Sequence, residues 1–156
     1  MTGPDLEPGA IPPGTFRIDR DGAWLHEGLE VTHPGVLRNL YANLRVEGDV
    51  HYLQVGPRRV PVQVDDAPFV VVRASVSGAG DLEAHLGDGT VETLDPGTLT
   101  LDRHGVPHCR VKQGAFRARV SVAAWLQLAV HLEPDPGSPE PVLVVGGRRF
   151  RITREG

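Results

Sequence analysis

Ile18-Asp19-Arg20-Asp21-Gly22 decides how this chain is read, because it returns as Leu101-Asp102-Arg103-His104-Gly105. The Asp-Gly step of the first copy is a hairpin signal, since Gly accepts a positive φ without steric cost. A second pair keeps the same order: Val55-Gly56-Pro57-Arg58-Arg59-Val60 resembles Val145-Gly146-Gly147-Arg148-Arg149-Phe150. The separations are 83 positions (18 to 101) and 90 positions (55 to 145), a difference that one loop insertion absorbs. Between the matched segments each half carries one amphipathic helix. The reading is an α+β chain built from a duplicated module, each copy a small curled antiparallel sheet with one packed helix. The alternative is two β/α modules that converged on the same turn chemistry.

Working outward, residues 1–14 hold four Pro and three Gly and read as a flexible arm. Phe16-Arg17-Ile18 and Ala23-Trp24-Leu25-His26 flank the first turn as strands. Thr32 or His33 then caps a helix with Pro34 in its first turn. Leu37, Leu40, Tyr41 and Leu44 give that helix one apolar stripe, and Glu47-Gly48-Asp49 ends it. Val60 to Asp65 alternates as a strand, and Pro61, which cannot donate to a ladder, places it at a sheet edge. After Asp66-Ala67-Pro68 a further strand runs from Phe69 to Val76. Leu82 to Leu86 and Thr90 to Leu94 flank Gly87-Asp88-Gly89 as a hairpin. Ser121 caps a second helix striped by Trp125, Leu128, Ala129 and Leu132. Residues 133–141 form a rigid acidic loop, and Val142 to Ile152 closes the chain as a hairpin. The modules are therefore expected at 15–77 and 78–156. Units this small bury too little surface alone, so a shared interface is expected, and such interfaces commonly hold ligand clefts.

Composition narrows the function classes. Hydrophobic residues at 40% and charged residues at 23% describe a globular chain. Gly (19) and Pro (14) make about a fifth of the 156 residues, which suits short strands and tight turns better than a helix bundle. A net charge of -4 argues against a general nucleic-acid coat protein. No apolar run approaches the ~18 residues of a membrane span, and the first residues lack the basic and apolar regions of a secretory signal. The single cysteine, Cys109, excludes an intramolecular disulfide and fits a reducing compartment, so a cytoplasmic protein is expected.

Several segments resemble the bacterial domain of unknown function 1285 family. They are Asp21-Gly22-Ala23-Trp24, the run Leu37 to Asp49 followed by Tyr52-Leu53, and above all Val64-Asp65-Asp66-Ala67-Pro68-Phe69. The similarity is clearest from about residue 16 to about residue 76. It implies a duplicated α+β core whose second module is loosely like a pleckstrin-homology barrel. It also implies a cleft between modules for a nucleotide-like ligand, with a link to signalling. Family members have a Glu-Lys pair where this chain has Arg58-Arg59, and no catalytic residues carry over.

The candidate ligand-binding residues follow from their chemistry. Arg58-Arg59 and Arg148-Arg149 come after Gly in two expected hairpin turns, where a backbone N–H and a guanidinium fork could hold an anion together. Arg117 and Arg119 alternate on one strand face and would extend that patch. Trp24 offers a face for stacking a planar ligand, or else packs in the core. Asp65 and Asp66 would accept from a base edge, a ribose hydroxyl or an amine, or else shape their turn. Adjacent strand residues diverge, so these two carboxylates are not a general acid/base pair. His104, His108 and Cys109 match no zinc spacing, and neither a metal nor another cofactor is expected. The motifs of P-loops, serine hydrolases, zinc proteases and dinucleotide folds are missing from the sequence. The expectation is a non-enzymatic module binding a small anionic or nucleotide-like ligand. The alternatives are an enzyme using Asp65, Asp66 or His104, or a scaffold that binds a protein through its sheet edges.

Overall fold

In the computed structural model, residues 14–155 are described, and the chain divides between Pro68 and Phe69 into two units. The expected arm 1–14 lies outside the described residues apart from Gly14. Among the described residues the architecture is α+β, with three sheets, two α-helices and mostly strands. No helix among the described residues is long and apolar enough to cross a membrane.

The first unit contains β1 (Phe16–Ile18), β2 (Trp24–His26), β3 (Leu29–Glu30), α1 (Pro34–Asn43), β4 (Leu44–Glu47), β5 (Val50–Val55) and β6 (Arg58–Val64). Its sheet runs β3-β2-β1-β6-β5-β4, with β1 and β6 parallel at the centre and the other neighbours antiparallel. Phe16, Ile18, Trp24, Leu40, Leu44, Leu53 and Val55 form its core. His33 is the N-cap of α1: its Nδ1 accepts from the N–H of Gly35 at 3.0 Å and of Val36 at 3.3 Å.

Two expectations about this unit are corrected. The Pro61 strand is interior, not at an edge. Val55 and Arg58 flank a two-residue hairpin loop, so the bonded pairs with β5 fall at Arg58, Val60 and Val62, and the Pro61 nitrogen faces away from β5. On that side β1 begins opposite Val62, so no ladder bond is lost at Pro61. The first helix also ends sooner than its stripe suggests. Leu44 to Glu47 leave it to pair with β5, and Gly48, at φ 61, sits in the turn of that hairpin.

The second unit contains β7 (Phe69–Val76), β8 (Leu82–Leu86), β9 (Val91–Thr93), a 3₁₀ turn (Pro96–Thr98), β10 (Thr100–Leu101), β11 (Pro107–Val111), β12 (Phe116–Val120), α2 (Val122–Ala129), β13 (Leu132–Glu133), β14 (Val142–Val145), β15 (Arg148–Arg151) and β16 (Thr153–Arg154). One sheet runs β16-β10-β11-β12-β7-β8-β9, and β13-β14-β15 form the other. The division before Phe69, against 77/78 expected, follows from β7, which pairs with β8 and β12 of this unit. Ser121 caps α2 through the N–H of Ala124 at 3.1 Å. Ala124 and Leu128 bury the inner side of α2, and Gln127 accepts the Ala74 N–H at 2.8 Å beyond the end of β12.

The two quoted turns carry the same bonds. Asp19 Oδ1 accepts from the N–H of Asp21 and Ala23, while its backbone bonds Ala23 and Gly22; Asp102 does the same with His104, Val106 and Gly105. Each carboxylate thus satisfies donors that a tight turn would otherwise leave unpaired.

Candidate functional site: a hollow beside the free edge of β9

Most of the anticipated site residues are held by partners within their own unit. Trp24 is 1% exposed, with the rings of Phe16 and Tyr41 edge-on at 6.5 and 5.6 Å. It belongs to the core and offers no stacking platform. Its indole Nε1 has no hydrogen-bond partner among the described residues. Asp65 takes the Arg17 guanidinium through both carboxylate oxygens, with Nε 2.9 Å from each, which fastens β6 to β1. Asp66 sits half-buried in the turn that follows. Arg59 lies over the Tyr52 ring at 4.4 Å and reaches Glu47 at 3.5 Å, whereas Arg58 is exposed on the opposite face of β6.

In the second unit Arg117 grips Glu155 at 2.7 and 3.2 Å, and the Thr100 hydroxyl donates to the same carboxylate at 2.7 Å. These contacts, Arg117 foremost, hold the Glu155 carboxyl below its usual range. Arg119, two residues along β12, is half-buried. Arg149 pairs with Glu133 at 3.0 Å. Arg148 is different: its guanidinium lies 5.3 Å from the Phe150 ring centre and meets no carboxylate among the described residues.

The chemistry is less occupied at a hollow of about 680 Å³ within the second unit. One wall is β9, through Glu92 and Thr93; another is the 3₁₀ turn, through Thr98 and its cap Asp95, whose Oδ1 accepts the Gly97 N–H at 2.9 Å. The third wall is Arg110 of β11 with the turn Lys112-Gln113-Gly114. Across that turn the Ala115 N–H donates to the Lys112 carbonyl at 3.1 Å, and all three turn residues have positive φ, at 55, 60 and 83°. Gly114 adopts this freely, but Lys112 and Gln113 do so at a steric cost.

Lys112, the single lysine of the chain, holds the hollow together. Its N–H donates to the Glu92 carboxylate at 2.9 Å, so the sheet curls until β9 meets the β11–β12 turn. Its ammonium pairs with Asp88 at 2.8 Å, donates to Thr90 at 2.9 Å, and lies 5.4 Å from the Phe69 ring centre. Burial works against ionising Asp88, yet the bonds from Lys112 and Thr90 outweigh it and hold the carboxyl below its usual range.

Arg110, beside it, pairs with no carboxylate among the described residues, although Glu92 and Asp95 line the same hollow. Among the described residues its Nε and Nη2 donate to the carbonyls of Gly114 at 3.2 Å and Ala115 at 3.4 Å. A smaller hollow of about 170 Å³ shares Thr93 and Asp95 with the first and is bordered by Arg148 and Phe150. The two hollows therefore adjoin at Thr93 and Asp95, the larger lined by Arg110 and the smaller by Arg148.

The residues considered for chemistry do not gather in this unit. His108 and Cys109 point to opposite faces of β11, and both are 1% exposed. Burial pushes the Cys109 thiol up to about 12, which keeps it protonated and unreactive near neutrality. His104 sits in its turn with Arg103 Nε at 3.2 Å.

No family model and no curated protein matches the chain. Solved structures do match. A DUF1285 family protein from Silicibacter pomeroyi DSS-3 superimposes with a TM-score of 0.75, covering 97% of this chain and 88% of its own at 26% identity. A DUF1285 family protein from Shewanella baltica OS155 gives 0.65, covering 78% and 93% at 19% identity. The chain is a DUF1285-like domain.

The motifs that carried this resemblance hold the DUF1285-like fold together. In Asp21-Gly22-Ala23-Trp24, Gly22 takes φ 87 in the first turn and Trp24 enters the core. In Val64-Asp65-Asp66-Ala67-Pro68-Phe69, Asp65 binds Arg17 while Ala67 and Phe69 are buried. Neither motif supplies Arg110 or Lys112. The available signal for those two was Gln113-Gly114 between Val111 and Phe116, a turn signature flanked by apolar strand residues.

Proposed function

We propose that this DUF1285-like domain is a non-enzymatic binding module for a ligand carrying a carboxylate or phosphate, seated on Arg110 in the larger hollow of the second unit. The observation behind this is the contrast between two neighbouring cations. Lys112 is neutralised by Asp88, while Arg110 has carbonyl partners alone among the described residues and lines the open space. A guanidinium so placed can still offer donors to an anion in two parallel bonds. The strain at Lys112 and Gln113 on the same rim supports a functional reading, since such backbone outliers collect at binding sites. The same reading treats the two units as related modules, which the matching bonds of the Asp19 and Asp102 turns support.

Thermal shift with citrate, inorganic phosphate and a mononucleotide tests it. A ligand at 100 times its dissociation constant adds ~2.7 kcal/mol to the folded state. Arg110→Met keeps the aliphatic stem and removes the charge, so it should lose the response. An equal shift in wild type and variant, or none with any of the three, would overturn the reading.

A further inference from the structure

We infer that the anionic ligand is an acidic stretch of a partner polypeptide, which adds as an extra strand along the free edge of β9; this rests on the reading of Arg110 given above. The strand β9 pairs with β8 alone among the described strands. The bonds from Leu86 N–H to the Thr90 carbonyl and from Leu94 N–H to the Leu82 carbonyl fix which residues face β8. Thr90, Glu92 and Leu94 are the bonded positions, so Val91 and Thr93 turn their N–H and C=O groups outward, away from β8. Thr93 is also one of the two residues common to both hollows.

Free edges are usually blocked by Lys, Pro, a bulge or a covering element. This one is not. Val91 is 53% exposed, and β9 itself carries neither Lys nor Pro. The carboxylate of Glu92, the one charge on the strand, is taken up by the Lys112 N–H. The Lys112 turn reaches β9 through the Glu92 side chain, and the walls leave about 680 Å³ beside Thr93, room for an extended segment rather than a single ion.

Charge complementarity selects the occupant. Arg110 and Arg148 border the adjoining hollows and pair with no carboxylate among the described residues. Of the acids in the same walls, Glu92 is held by the Lys112 N–H and Asp95 by the Gly97 N–H, while Asp81 lines the smaller hollow. An incoming strand directs alternate side chains to one face, about 7 Å apart. Acidic residues on that face, separated by uncharged ones, would offer carboxylates to Arg110 and to Arg148. Main-chain pairing supplies affinity and the arginines supply selectivity.

The test uses the full chain and a blocked hexapeptide alternating threonine with glutamate, followed by calorimetry. Two further copies are methylated on the backbone nitrogens of either the threonines or the glutamates. Strand addition uses one peptide edge, so one methylated copy should bind at least tenfold more weakly while the other retains affinity. Val91→Pro removes an outward N–H and leaves the β8 ladder intact; it should abolish peptide binding while citrate still responds through Arg110. Arg110→Met should weaken both. Equal affinity of the two methylated copies, citrate binding without peptide binding, or peptide binding unaffected by Val91→Pro would each overturn strand addition and leave the Arg110 reading standing. Failure of citrate and peptide alike would overturn both. Should circular dichroism show Val91→Pro unfolded, the methylated pair decides.

Discussion

Gln113→Asn should stabilise the protein although it changes no long-range hydrogen bond of this exposed side chain among the described residues. Gln113 is exposed, holds φ 60, and precedes Gly114 at φ 83 in the turn closed by the Ala115 N–H on the Lys112 carbonyl. A left-handed conformation costs an ordinary L-residue about 1–2 kcal/mol, and Asn escapes much of that through local bonding of its side chain. Asn-Gly is also the favoured pair for a two-residue turn with both central φ angles positive. Relief of about half the strain gives about 0.5–1 kcal/mol, or roughly 1–4 °C in Tm for a chain of this size. Urea unfolding followed by far-UV circular dichroism should show a higher midpoint with an unchanged slope. Gln113→Val is the matched opposite, because a β-branched residue resists the left-handed region more strongly, and it should lower the midpoint. If Asn left the midpoint unmoved and Val were harmless, the turn would not be left-handed at this position. The strain argument for the hollow would then fall with it.

Two other outcomes follow from buried or saturated groups. With its thiol pushed up to about 12, Cys109 should react with a thiol reagent only as the protein unfolds. The unfolded chain ionises this thiol near its ordinary value of about 8.5 while the folded chain holds the proton. Stability should therefore fall as pH rises above that value, and Cys109→Ala should remove that component; fast labelling of native protein would refute the burial. Asp19→Ala and Asp102→Ala each orphan two backbone N–H donors and should cost about 1–3 kcal/mol, with Asn recovering most of it. A loss under about 0.5 kcal/mol in urea titration would mean these carboxylates do not hold their turns.

Local chemistry was the legible part. The turn at Asp19, the caps of both helices, the strand Phe69–Val76 and the hairpin around Gly87-Asp88-Gly89 all stand where residue types and spacing placed them. The misplacement of Pro61 at an edge shows the limit. Whether a proline harms a ladder depends on which side of the strand its nitrogen faces and how far the neighbour extends, and β1 stops one residue short. The end of α1 was missed for a related reason: Leu44 fits the helical stripe equally well, but pairing with Leu53 wins.

The candidate site was less legible, because an arginine looks the same in sequence whether or not a carboxylate will reach it. Arg117 finds Glu155 from 38 positions away, and the Lys112 N–H finds Glu92 from 20. Arg110 lies between such pairs in the chain and escapes them.

The order of residues alone determined the two quoted turns, the strand-rich α+β class and the resemblance to DUF1285 proteins, because each depends on chemistry within a few consecutive residues. Tertiary structure alone decided that Trp24 is core, that β9 is an open edge and that Arg110 lies beside a hollow without a carboxylate partner among the described residues. Those outcomes depend on which distant segments meet, and burial, edge exposure and charge pairing exist only once they have met.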